Sequence, residues 1–166
     1  MDRLIAIETL TAAAFAPFGT LIEADPATVR MINGGTTERF HALARADVVG
    51  EGASVIINLF RGQPRAFPYA IGMMERHPLG SQSFSPIDDR PWLAVVAGDE
   101  GGRPGRPRAF LATGRQGVNY GRNVWHHPLI AIDAVSDFLV VDREGPGVNL
   151  EEFVFDQPFI LNHPLS

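Results

Sequence analysis

The sequence predicts an all-β fold, a small jelly roll or closed barrel with a short helix near its start. Three observations carry this. Runs of about four to eight residues rich in Val, Ile, Leu and Phe recur along the chain, bounded by Gly, Pro, Asp or Asn. Almost no stretch keeps a helical apolar period, so nothing supplies the crossover helices of a parallel sheet. The 17 Gly and 13 Pro are spread along the chain, which implies many tight turns. A length of 166 residues suits one ordinary core, so residues 1–166 are expected to form a single domain.

In chain order the first element is a helix over residues 11–16. Thr11 offers a side-chain oxygen to the orphan first-turn amides, alanines dominate the next five positions, and Pro17 and Gly19 end it. Strands are then expected at 54–60, 69–75, 82–85 and 92–97, with Pro68, Pro91 and Gly98 among the residues that set these runs off. Further strands are expected at 108–112, 124–126, 129–132, 137–141 and 152–155, with Pro107, Asp133 and Gly145 among the punctuating residues. Residues 99–107 are too polar and too rich in Gly and Pro to pack, so they read as an exposed loop.

Composition prunes the chemistry. There is no Cys, which removes disulfides, thiolate nucleophiles, Cys-ligated zinc and iron–sulfur clusters. There is no Lys either: all 14 basic residues are Arg, so Schiff-base chemistry and a phosphate-binding P-loop are excluded. The net charge of −5, with no basic run, argues against nucleic-acid partners. Residues 61–122 hold nine Arg and five acids, whereas 133–166 hold seven acids and one Arg, so the middle of the chain suits an anionic small molecule. Asp2 and Glu8 interrupt the apolar core that a secretory leader needs, and no apolar run approaches the ~18 residues of a membrane helix. A cytoplasmic protein with no membrane partner is expected.

Two neighbourhoods place His among other ligand-type groups. In Glu75-Arg76-His77-Pro78-Leu79-Gly80-Ser81-Gln82 the period of two puts Glu75 and His77 on one strand face and Arg76 on the other. The turn after Pro78 brings Gln82 back toward that face. In the stretch from Gly117 to Pro128 a Gly-rich turn feeds a strand that presents His126, with His127 of opposite parity as a supporting partner. Arg122 and Arg39 are the candidate carboxylate receptors, because a planar guanidinium binds both oxygens. Asn119 and Asn33 are candidates for orienting an amide, although Asn33-Gly34 is first a turn signal. Tyr120 and Trp125 wall a pocket or fill the core. His41 and His163 carry less weight, His163 lying close to the C-terminus.

This spacing resembles the paired motifs of the cupin superfamily, small jelly-roll or double-stranded β-helix barrels. Their first motif is His-x-His followed by Glu, and their second carries one His after a Gly-rich turn. Glu75 stands for the first His, His77 for the second, Gln82 for the Glu and His126 for the last. The wider wording is similar to the ureidoglycolate lyase family: Asn33-Gly34-Gly35 with Glu38-Arg39-Phe40-His41, Glu75-Arg76-His77-Pro78-Leu79-Gly80 with Gln82, Gln116-Gly117-Val118-Asn119-Tyr120, and Arg122-Asn123-Val124-Trp125-His126-His127-Pro128-Leu129. The likeness runs from Phe15-Ala16-Pro17-Phe18-Gly19 to Asp142-Arg143. It implies a cupin-type barrel, usually a homodimer, that splits (S)-ureidoglycolate into glyoxylate and urea in allantoin and purine catabolism. It also implies stimulation by divalent metal in some members, nickel in particular. Since Gln82 is neutral, a metal on Glu75, His77, Gln82 and His126 is expected to be loosely held or not required.

The residues suit that chemistry independently. Ureidoglycolate carries a hydroxyl, a carboxylate and the urea nitrogen on one carbon. Elimination needs a base for the hydroxyl proton, an acid for the leaving nitrogen and a cation for the carboxylate. Glu75, His77 and His126 are expected to move the protons, with Arg122 or Arg39 on the carboxylate. Two other readings stay open: a small-acid-binding cupin without catalysis, and a metal-dependent cupin enzyme of another reaction type, such as an oxygenase or isomerase.

Overall fold

The protein is described by a computed structural model over residues 2–165. Its elements in chain order are β1 (Ile7–Thr9), α1 (Ala12–Phe15), β2 (Gly19–Ile22), β3 (Val29–Ile32), β4 (Thr37–Phe40), β5 (Ser54–Gly62), β6 (Tyr69–Arg76) and β7 (Gln82–Pro86). They continue with β8 (Trp92–Ala97), β9 (Arg108–Ala112), β10 (Gly117–Tyr120), β11 (Trp125–His126), β12 (Ile130–Ala131), β13 (Ser136–Glu144) and β14 (Glu151–Leu161). One sheet runs β1-β9-β8-β11-β6-β14 with β12 also on β8, a second runs β2-β10-β7-β13-β5, and β3 and β4 form a separate hairpin. The pairing of β1 with β9 is parallel, and the other ladders are antiparallel.

The two large sheets face each other across an aromatic core. Trp92 of β8 meets Phe84 of β7 and Phe138 of β13 with ring centroids 6.2 and 5.2 Å apart. This is the barrel-like, mostly β fold expected from the sequence. Strand β8 is buried on both faces. Trp92, Ala94 and Val96 point into the barrel, while Leu93, Val95 and Ala97 join a second core with Ile5, Phe159 and Leu161. That double burial is why its sequence is a continuous apolar run rather than an alternation. The helix α1 forms where expected: Thr11 Oγ1 accepts from the Ala14 amide at 3.2 Å, and Phe15 packs edge-on against Phe110.

All nine expected strands form, some longer than the local pattern indicated and two, β11 and β12, shorter. Strand β14 extends to Leu161 across a register shift between Val154 and Phe159, which bends it around the second core. Five strands lie outside the sequence expectation: β1, β2, β3, β4 and β10. Strand β10 falls within the stretch read as a Gly-rich turn, yet all four of its residues are buried between β2 and β7. Glycines on both sides of the β2–β10 pair serve close approach: a Cβ on Gly117 of β10 would stand 2.5 Å from the Phe84 carbonyl oxygen, and one on Gly19 of β2 would stand 1.9 Å from that of Asn119. The loop at 99–107 forms and is largely exposed, as expected, but it is anchored at a few points. Pro104 and Pro107 are buried, and the Asp99 carboxylate accepts from Trp125 Nε1 at 2.9 Å, Arg76 Nη1 at 2.9 Å and the Gly102 amide at 3.0 Å. Among the described residues no helix is long and apolar enough to cross a membrane.

Candidate active site

The barrel interior changes from apolar to polar at one end, along three neighbouring strands at once. On β5 the inward residue two before Phe60 is Asn58, on β13 Phe138 and Val140 lead to Asp142, and on β7 Phe84 is preceded in phase by Gln82. The facing sheet brings Glu75 on β6 and His126 on β11, which pair in register. His77 follows directly after β6 on the same face as Glu75. Arg76 points the other way, with its guanidinium 4.3 Å from the Trp125 ring and ion pairs to Asp99 and Glu151. The alternation read from the sequence therefore holds.

Glu75, His77 and His126 converge, with one ligand atom of each lying within 4.8 Å of the others. Glu75 Oε1 stands 3.6 Å from His126 Nε2 and 3.8 Å from His77 Nε2. Each imidazole is fixed from behind through Nδ1: His126 at 3.0 Å from the Val124 carbonyl oxygen, His77 at 2.8 Å from that of Asn149. A carbonyl only accepts, so each Nδ1 carries a hydrogen and each Nε2 is turned toward the carboxylate. Gln82 Oε1 also lies 3.2 Å from His126 Nε2. Tyr120 stacks on His126 at 4.4 Å between centroids, with the ring planes nearly parallel, and locks the ring.

Burial opposes ionisation of Glu75, but the imidazoles of His126 and His77 beside its carboxylate outweigh it and hold the carboxyl below its ordinary value. Burial, reinforced by the Glu75 charge, pushes the Tyr120 phenol upward, so it stays neutral. His127 faces away from the cluster, with Nδ1 at 2.8 Å from the Pro128 carbonyl and its ring edge-on to Tyr69. Burial pushes its imidazole down to about 4, which keeps it uncharged at neutral pH.

The donor set fits a divalent cation. His77 Nε2 is buried without a hydrogen-bond partner, and His126 Nε2 meets two oxygens. Both rings have the backbone-carbonyl support on the far nitrogen that ligating histidines use.

A cavity of about 480 Å³ opens onto this cluster, lined by Glu75 and Gln82 together with Phe60, Phe84, Leu129, Arg61 and Arg65. Arg61 is held by a bidentate pair with Asp137 at 2.8 and 2.9 Å. Arg65 makes no carboxylate pair among the described residues and lies 5.5 Å from the Tyr69 ring centroid. The arginines singled out in the sequence are elsewhere. Arg122 makes an exposed pair with Asp47 at 3.2 Å, and Arg39 sits on the exposed hairpin directly opposite Arg30. Asn119 has the opposite parity to Tyr120 and donates to the Arg45 carbonyl oxygen, and Asn33 forms the hairpin turn, where its side chain donates to Thr37. None of these four lines the cavity. Sequence reasoning missed Arg65, Asn58 and Asp142. The last two carry a legible signal: each is a polar residue in phase with inward apolar neighbours.

Fold and site together define a cupin-type barrel with an enclosed carboxylate–imidazole cluster. The family described as ureidoglycolate lyase matches residues 2–162. Ureidoglycolate lyase 1 of Rhizobium meliloti is 71% identical over 166 residues, spanning 100% of this chain and 98% of that protein. Ureidoglycolate lyases of Agrobacterium fabrum and Brucella anthropi are 63% and 60% identical, the first spanning 99% of both chains, the second 91% of this chain and 89% of its own. The chain belongs to the ureidoglycolate lyase family.

Proposed function

We propose that the protein is a carbon–nitrogen lyase of the amidine-lyase class that eliminates urea from (S)-ureidoglycolate to give glyoxylate, a step of allantoin and purine catabolism. The observation that carries this reading is that, among the described residues, Glu75 is the one carboxylate lining a cavity whose other charged groups are Arg61 and Arg65. The names of the relatives supply the substrate.

The net reaction moves one proton from the carbinol oxygen to the urea nitrogen on the same carbon while the carbon–nitrogen bond breaks. A single side chain within reach of both atoms performs both transfers. Glu75, kept ionised by its imidazole neighbours, accepts the hydroxyl proton. As the aldehyde carbonyl forms, the carbon–nitrogen electron pair passes to nitrogen, which takes the proton from Glu75. His77 and His126 stabilise the carboxylate before and after the transfer. Arg65 receives the substrate carboxylate through its fork, while Asp137 keeps Arg61 at the rim. A divalent ion, nickel by the family resemblance, would be held loosely by Glu75, His77, His126 and Gln82, and when bound it supplies Lewis-acid polarisation.

The working unit in this reading is a cytoplasmic homodimer of single-domain chains. The exposed row Val55, Ile57 and Leu59 on edge strand β5, beside Leu139, is an apolar face suited to a second copy. The decisive experiment incubates purified protein with racemic ureidoglycolate and follows glyoxylate, urea and ammonia separately. Glyoxylate and urea in equal amounts are expected. Ammonia in step with glyoxylate, without urease present, would replace the lyase by a hydrolase, and absence of turnover would favour a binding protein.

A further inference from the structure

We propose that Asp142 is a positioning residue that decides which way round the Gln82 amide sits, and so what His126 meets. For its activity arm this rests on the lyase reading. A glutamine amide has two orientations of nearly equal shape, related by a half-turn, that exchange its acceptor and its donor. Here Gln82 Nε2 donates to Asp142 Oδ2 at 3.2 Å, which leaves Oε1 facing His126 Nε2 at 3.2 Å. The reversed amide would set its carbonyl oxygen against a carboxylate and its NH2 group against the imidazole. Asp142 is fixed in turn, because Asn58 Nδ2 donates to its other oxygen at 3.0 Å. The relay Asn58–Asp142–Gln82–His126 runs from β5 through β13 and β7 to β11, so it ties the two sheets together at the polar end of the barrel.

The consequence lies at His126. Its Nδ1 faces the Val124 carbonyl, and its Nε2 faces both Gln82 Oε1 and Glu75 Oε1. Two oxygens, those of Gln82 and Glu75, therefore stand in front of Nε2 at 3.2 and 3.6 Å. A reversed Gln82 would replace the nearer of these oxygens by an NH2 group and leave Glu75 as the one oxygen of the pair facing Nε2. The relay also accounts for an amide at position 82: a glutamate would bring a second carboxylate to about the 3.2 Å that now separates Gln82 from Asp142.

The test is a hydrogen-bond swap. In Asp142→Asn the new amide can donate to Gln82 Oε1, so the reversed orientation becomes available. In Gln82→Glu two carboxylates oppose each other. Each single change is expected to lower kcat about tenfold or more with little change in KM, the usual loss when a partner behind a site residue is removed. In the double variant Gln82→Glu, Asp142→Asn the introduced amide donates to the introduced carboxylate, whose second oxygen again faces His126. Its kcat is expected to recover to within about threefold of wild type. A double variant no better than the worse single one would overturn the proposal. An arm independent of turnover uses NMR: contacts between the Gln82 amide protons and the His126 ring are expected in Asp142→Asn and not in the wild type. An unchanged amide orientation in Asp142→Asn would overturn the positioning role even if the wild type proved inactive on ureidoglycolate, whereas that inactivity alone would reject only the lyase reading.

Discussion

Acidification is expected to destabilise the protein through His127 by about 3 kcal/mol. The residue is 5% exposed, and burial pushes its imidazole down to about 4 from an ordinary 6.5, with the Pro128 carbonyl hydrogen bond opposing and Arg65 assisting. An unfolded chain takes up the proton below 6.5, while the folded chain resists until about 4. The stability that this neutral ring allows is therefore complete above 6.5, falls as pH drops through the window, and changes no further below about 4. At ~1.4 kcal/mol per pH unit, the gap integrates to about 3 kcal/mol. The assay is urea unfolding at constant ionic strength between about pH 7 and about pH 4, on the wild type and on His127→Phe, which keeps a ring against Tyr69. Paired carboxylates such as Glu8 and Asp137 lose their partners' benefit in both proteins and cancel in the comparison. The wild type is expected to lose about 3 kcal/mol more than the variant over this range. Parallel curves for the two proteins would refute the reasoning.

Four further outcomes are expected. Glu75→Gln and His126→Asn should each lower kcat by at least ~10²-fold while the unfolding transition stays cooperative, as steady-state kinetics and circular dichroism would show. Arg65→Gln should raise KM about tenfold or more, whereas Arg122→Lys should stay near wild type because the Asp47 pair is exposed, and the reverse ranking would return the carboxylate to Arg122. Nickel bound by the purified protein should leave on dialysis against a chelator, and calorimetry of its return should weaken in Glu75→Gln; an ion that survives dialysis at one per chain would contradict a loosely held metal. Thr11→Ala should cost about 1 kcal/mol in urea unfolding through loss of the α1 cap.

What could be read from the sequence alone was what depends on near neighbours. Strand alternation is a property of consecutive residues, so Glu75 and His77 were legible as sharing a face and Arg76 as opposing them. The Thr11 cap and the nine strands that rest on apolar runs were legible for the same reason, and the wording around His77 and His126 was enough to suggest the family. Strand β10 was not, because Gly117 at its start reads as a turn former until β2 and β7 close on either side and leave no room for a Cβ there. Nor were the sites of Arg39 and Arg122, since a guanidinium's destination depends on which surface its strand faces. The amide orientation of Gln82 lay furthest from view. It is decided by a carboxylate 60 residues away, brought into register only when β13 pairs with β7, and that register is set by the packing of Phe84, Phe138 and Val140 inside the barrel.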